Sequence, residues 1–317
     1  MTIQNPITAL PQLAGRPFVS DGGLETWLVF HEGIDLRDFA AFELMTKPDG
    51  RATLERWYRR HAAIAATHGA GFIFETPTWR ANRDWGAGLG YDRAALRAIN
   101  TDSVRFLHRL RDDLAAETGI QGVVSGCIGP RGDGYIPGDR MTSAEAAAYH
   151  SAQVEAFASA GADMVSAMTL SYVAEAAGIA HAATAAGIPC ALSFTVETDG
   201  RLPSGEALRD AIEAVDAETA GVVAYYMINC AHPTHFAETL GEEGAWKNRI
   251  RGIRANASRM SHAELEASET LDDGDPEDLG ARYKDLHALL PALAVVGGCC
   301  GTDHRHVEAV ARACLTG

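Results

Sequence analysis

A closed (β/α)8 barrel is the fold this sequence predicts, and three observations predict it. Eight short apolar, often β-branched runs alternate with longer stretches of helical period along the whole chain. Several helical stretches stop on small residues directly before the next run: His68-Gly69-Ala70-Gly71, Ala160-Gly161-Ala162-Asp163 and Ala186-Gly187-Ile188-Pro189. The first run is followed by Asp21-Gly22-Gly23-Leu24-Glu25, which is not the G-x-G-x-x-G loop an open, doubly wound sheet would place there. Eight strand-then-helix units account for the 317 residues, and no shift in composition marks a boundary, so residues 1–317 read as a single domain.

The strands are expected at 18–20, 71–74, 122–125, 164–167, 190–194, 222–228, 250–254 and 293–296, where apolar runs end in polar or glycine residues. Helical spacing predicts helices at 52–68, 93–114, 144–160, 173–186 and 304–314. Thr142…Glu145 and Ser261…Glu264 have the capping-box pattern of helix starts. The Gly/Pro-rich segment 129–138 and the acidic stretch 257–280 read as loops over the barrel.

Hydrophobic residues make up 47% and charged residues 22%, so an ordinary core is expected. The net charge of −15 argues against nucleic acid, whose phosphates need a basic face. Residues 264–278 hold eight carboxylates and no Lys or Arg, and a solvated face is the ordinary reading of such a run. No basic start leads into an apolar stretch, and no run approaches the ~18 to 20 residues of a membrane span. Six cysteines are too sparse for a disulfide scaffold, so a reducing, cytoplasmic setting is expected.

In barrels of this kind, reactive groups come from the C-terminal strand ends. Here those ends carry Asp21-Gly22-Gly23, Glu75-Thr76-Pro77-Thr78-Trp79, Cys127-Ile128-Gly129-Pro130, Met168-Thr169, Thr195-Val196-Glu197, Asn229-Cys230, Asn256 and Gly297-Gly298-Cys299-Cys300. Neighbouring cysteines on an ideal strand point to opposite faces. Cys299 and Cys300 can meet one ion only where the strand breaks, and Gly297-Gly298 is expected to supply the break through glycine's wider choice of backbone angles. Cys230, two barrel positions away, is within reach of the same ion. Three thiolates at one mouth suit zinc and leave a fourth position for a substrate. Cys127, Cys190 and Cys314 read as core or surface residues. His232, His235, His304 and His306 lie past the strand ends, where loop bracing is the ordinary role.

The motifs Asp21-Gly22-Gly23, Glu75-Thr76-Pro77-Thr78, Cys127-Ile128-Gly129-Pro130, Asn229-Cys230 and Gly297-Gly298-Cys299-Cys300-Gly301 resemble the homocysteine S-methyltransferase family, in its order and spacing from about residue 16 onward. The resemblance implies a zinc-dependent barrel that transfers a methyl group from an onium donor to a small-molecule thiol. It implies Cys230, Cys299 and Cys300 as ligands and Asp21 as a holder of the acceptor amino acid. Gly22, Thr76 and Asn229, from the same motifs, are expected at substrate-binding positions. S-methylmethionine and S-adenosylmethionine are the expected donors, homocysteine or a related thiol the acceptor. The barrel leaves no room for a corrin-binding module.

Departures from the pattern bear on the substrate. Many members of the family carry a glutamate before the threonine after strand four, where this chain has Met168. A thioether cannot pair with an ammonium, so a different thiol acceptor or onium donor is the alternative reading. Glu25, in the first loop, either replaces the missing charge or faces solvent. Trp79 offers an aromatic face to a cationic donor, or simply packs over the barrel top. Arg80 either meets an acceptor carboxylate or sulfonate, or is an ordinary surface arginine. A barrel that only stores or senses zinc is the reading from another class.

Overall fold

In the computed structural model, which describes residues 10–315, parallel strands β1 (Phe18–Val19), β2 (Gly71–Glu75), β3 (Gly122–Ile128), β4 (Met164–Leu170), β5 (Cys190–Phe194), β6 (Tyr225–Asn229), β7 (Ile250–Ala255) and β8 (Val295–Gly298) follow one another around a closed barrel. Closure is made by Phe18 and Val19 of β1 in register with Val295 and Val296 of β8. The helices are α1 (Leu24–Phe30), α2 (Pro48–Thr67), α3 (Arg83–Gly88), α4 (Arg93–Thr118), α5 (Ser143–Ala160), α6 (Val173–Ala186), α7 (Leu208–Thr219), α8 (Pro233–Leu240), α9 (His262–Glu266), α10 (Pro276–Leu289) and α11 (His304–Leu315). None of the described helices is long and apolar enough to cross a membrane.

Strand alternation separates two apolar regions. Phe72, Phe74, Val124, Val165, Leu192, Ile228 and Ile253 face the helices in the outer core. Phe18, Ile73, Val123, Met164, Ala191, Tyr225, Met227 and Val295 fill the barrel interior. The lower end is closed by Leu10 and the fully buried Gln12, whose amide donates to Tyr225 Oη. These side chains fill the interior below the upper, C-terminal end, where the polar and thiol residues gather.

Above the apolar layer lies a polar one. Ser166 Oγ is 2.6 and 2.8 Å from the Glu75 carboxylate oxygens and 2.5 Å from Ser125 Oγ. Burial raises the Glu75 carboxyl to about 7. At the β7 and β8 ends, Tyr283 from α10 accepts from Ala255 N at 2.8 Å and donates to Gly297 O at 2.5 Å.

Both expected capping boxes form, at Thr142/Glu145 and Ser261/Glu264. The loop expected at 257–280 is corrected: it contains α9 and the start of α10. Asp275 caps α10, Pro276 occupies its first turn, and Glu277 and Asp278 lie at its positive end, so acidity there favours a helix start. Part of that acidity is also paired: Asp278 with Arg259 and Arg282, Asp273 with Arg305.

Two outcomes are expected. Tyr283→Phe should cost about 1–3 kcal/mol in urea denaturation, because it strips a donor from the fully buried Gly297 carbonyl region; an unchanged midpoint would contradict this role. Because the folded pKa of Glu75 lies above its unfolded value, its contribution to stability is full below about 4.5 and is lost as pH rises through about 7. Wild type should therefore lose up to about 3 kcal/mol relative to Glu75→Gln between pH 5 and pH 8. A gap independent of pH, measured by denaturation across that range, would show that Glu75 ionises without penalty.

Candidate metal centre at the barrel mouth

Cys230 follows the last residue of β6 with φ +54°, in the left-handed region. Outside glycine that conformation is costly and needs support. Asn256 Nδ2 donates to the Cys230 carbonyl at 3.0 Å, His262 Nε2 lies 2.7 Å from it, and Thr195 Oγ1 reaches it at 3.4 Å. Cys230 N in turn donates to Arg254 O. The strand is thereby turned so that the thiol points across the mouth rather than along β6.

The second arm comes from β8. Neither Gly297 nor Gly298 has positive φ, which corrects the expectation that they break the strand by unusual backbone angles. Both lie inside β8, and their role is close approach: a Cβ at Gly297 would collide with Ser20 Oγ, and one at Gly298 with Thr302 Oγ1. The break falls later, in the turn Cys299-Cys300-Gly301, where Gly301 has φ +77° and Thr302 N and Oγ1 both donate to Cys299 O.

The three Sγ atoms converge within 4.8 Å of one another, and Cys230 and Cys300 are 3.7 Å apart. Two sulfurs bound ~2.3 Å from one tetrahedral ion would stand about 3.8 Å apart, whereas a disulfide needs about 2.05 Å. Charge points the same way. Hydrogen bonds from Cys299 and Cys300 pull Cys230 well below the usual thiol range, while the hydrogen bonds to Cys230 push Cys299 up to about 12 and Cys300 well above the usual thiol range. One thiolate forms readily, and three side by side require a cation. The residues present fit a thiophilic ion.

Asn229, a candidate substrate residue, is 2% exposed and committed to the framework. Its Oδ1 accepts from Thr169 N and Ser193 Oγ, and its Nδ2 donates to Thr169 Oγ1 and points at Cys299 Sγ from 3.8 Å. Asp21, 3% exposed, accepts from Trp57 Nε1 at 2.8 Å and from Arg254 Nη2 at 2.6 Å. Gly22 lies against Thr302, and its carbonyl accepts from Arg254. Thr76 Oγ1 bonds Thr78 Oγ1 and Cys127 N, tying the loop after β2 to β3.

Glu25, in the first turn of α1, is held up to about 7 by burial, with Cys299 and Asp21 pushing the same way and Arg254 opposing. Met168 is 5% exposed and packs in the inner cluster with Cys127 and Trp79. Trp79 Nε1 donates to Met168 O at 3.3 Å, and the cation over its ring is Arg80.

Two residues of the mouth escaped sequence reading. Tyr135, from the 129–138 loop, places its Oη 4.0 Å from Cys300 Sγ and stacks on His262 at 3.9 Å between centroids. His262 also contacts Glu197 through Nδ1. Only the capping box beside His262 was a signal, and it pointed to a helix start rather than a site. His232, His235 and His306 brace loops through Thr234, Arg259 O and Asp273 O, and His304 likewise lies outside the thiol cluster.

Comparison with known proteins gives the family and the fold. The family model described as homocysteine S-methyltransferase matches residues 18–314. The homocysteine S-methyltransferase of Escherichia coli K12 is 35% identical over 223 residues, covering 67% of this chain and 69% of that protein. A methionine synthase of Mycobacterium tuberculosis is 28% identical over 96% of this chain, which spans only 25% of that protein. Crystal structures of the E. coli homocysteine methyltransferase MmuM share the fold: the oxidized form at TM-score 0.75 and 23% identity, covering 96% of this chain and 98% of that one, and the metallated form at 0.73 and 21%, covering 97% and 99%. With the match running from β1 into α11, this chain is a methyltransferase that belongs to the homocysteine S-methyltransferase family.

Proposed function

We propose that this barrel, acting as a single domain, is a zinc-dependent S-methyltransferase. It moves a methyl group from a sulfonium donor, S-methylmethionine or S-adenosylmethionine, to homocysteine or a related small thiol, giving methionine or a thioether. The observation that carries this reading is the meeting of Cys230, Cys299 and Cys300 within 4.8 Å at the mouth. Zinc held by these three residues would supply an open position at which an acceptor thiol loses its proton at neutral pH.

The remaining work belongs to the protein. Asn256 and His262 hold the Cys230 main chain, and Asn229 holds its amide against Cys299, so the ligands are oriented before any ion arrives. Tyr135, stacked on His262, roofs the thiols and limits water. Asp21 and Gly22, locked by Arg254, form the acceptor-side wall, while Thr76, Trp79 and Met168 shape the opposite wall. Glu25 is the carboxylate at the mouth suited to an acceptor ammonium. Alignment of sulfur, methyl carbon and leaving group is then the main requirement.

A second reading, with another thiol acceptor or onium donor, is favoured by Met168, whose buried thioether offers no charge to an ammonium.

Metal analysis should find about one zinc per chain, lost in Cys230→Ala. The zinc form should make methionine from homocysteine with one of the two sulfonium donors; methionine from neither would move the weight to the second reading. Met168→Glu should raise homocysteine turnover if the rest of the acceptor pocket is conventional, and unchanged or lower turnover counts against that view of the position.

A further inference from the structure

Arg80 is not a surface arginine. It follows Trp79 in the loop after β2, is 8% exposed, and makes cation–π contact with two indoles, its guanidinium carbon lying 4.0 Å from the Trp79 ring centroid and 3.6 Å from that of Trp85. Of its five N–H groups, one at Nη1 is used, donating to Gly132 O at 3.2 Å. Nε is fully buried with no partner. In a chain with 42 acidic and 27 basic residues, no carboxylate among the described residues is bonded to it. Glu25, Asp38, Asp133 and Tyr135 act on it only through their fields.

A buried cation with an unfilled donor edge is costly to maintain, and its persistence calls for a reason. Two cation–π contacts hold the guanidinium in place without consuming its N–H donors. Burial lowers the group only to about 10, so it stays charged near neutrality. Its place is also informative. Trp79 packs on Met168 and Cys127 of the inner cluster, and the Gly132–Tyr135 segment that covers Arg80 carries the tyrosine over Cys300. The guanidinium is thus held by the same loop whose Tyr135 lies over Cys300.

We propose that Arg80 is a specificity residue that receives the carboxylate of a substrate through the terminal Nη donors left unused beside Trp79 and Trp85. A planar fork takes a carboxylate through two parallel N–H bonds, which fits an amino-acid substrate better than an uncharged thiol or a simple sulfonium. Either substrate of the proposed reaction could bring that carboxylate. The inference therefore rests on the methyl-transfer reading for the ligands to test, but not for its readout.

The experiment is calorimetric binding to the zinc-loaded protein, with two matched pairs. One pair is homocysteine against 3-aminopropanethiol, the other S-methylmethionine against (3-aminopropyl)dimethylsulfonium. Wild type should bind at least one carboxylate-bearing member about tenfold or more tighter than its partner. Arg80→Gln should erase that ratio while leaving the decarboxylated ligand's affinity unchanged, and Arg80→Lys should restore only part of it. Loss of the ratio in the first pair assigns the carboxylate to the acceptor, and in the second to the donor. A ratio that survives in Arg80→Gln, equal weakening of both members of a pair, or no binding of either carboxylate ligand to wild type would overturn the proposal. Methyl-transfer assays on the same wild-type sample keep the two readings apart: a preserved ratio without transfer sinks the transferase reading alone.

Discussion

Arg254 rises from β7 inside the barrel and donates to Asp21, to Gly22 O and to Gly298 O, so one guanidinium joins the ends of β1, β7 and β8. Asp21 and Arg254 are both almost fully buried, and each charge is tolerable only because the other is there. Trp57 completes the carboxylate from outside the barrel. The residue after Gly298 is Cys299, whose amide donates to Ala255 O on β7. The position of the thiol pair is therefore inherited from this ion pair and from Tyr283 beneath it.

Against that rigid side stands a strained one. Cys230 and Thr169 both have positive φ, at the ends of β6 and β4, and the β4–β5 register shifts between Ala167 and Leu170. Residues in this region cost about 1–3 kcal/mol and persist where their surroundings compel them. Asn229 is the common element. It bonds the Thr169 main chain and side chain on one side and reaches Cys299 on the other. Strain at two strand ends is thus coupled through one amide to the orientation of a thiol contributed by a third.

Electrostatics divides the mouth into two halves. The thiols, Glu25 and Glu75 gather ionisable acids at the mouth, and burial, with neighbouring acids adding to it, raises the two carboxyls to about 7. Arg254 is fully matched there. On the loop after β2, Arg80 has a charge and, among the described residues, no carboxylate bonded to it. A net charge of −15 favours the approach of cationic solutes in general, while the unmatched guanidinium can select among them by an anionic group.

Periodicity made the barrel legible. All eight expected strands exist with ends shifted by a few residues, because alternation and helical spacing are local properties of a chain wrapped around a sheet. The cysteines were legible as well, since their chemistry and their places after apolar runs are written in order along the chain. Other features depend on partners distant in sequence. Gly297 and Gly298 are required by Ser20 and Thr302, not by their own backbone angles. The Cys230 turn rests on Asn256 and His262, the roof on Tyr135, and the immobilised Arg80 on Trp85 and Gly132. Residue type and spacing determined the fold and which atoms could react. Close approach, burial and hydrogen-bond supply, which exist only once the barrel has closed, decided how those atoms are aimed and which charges are left unmatched.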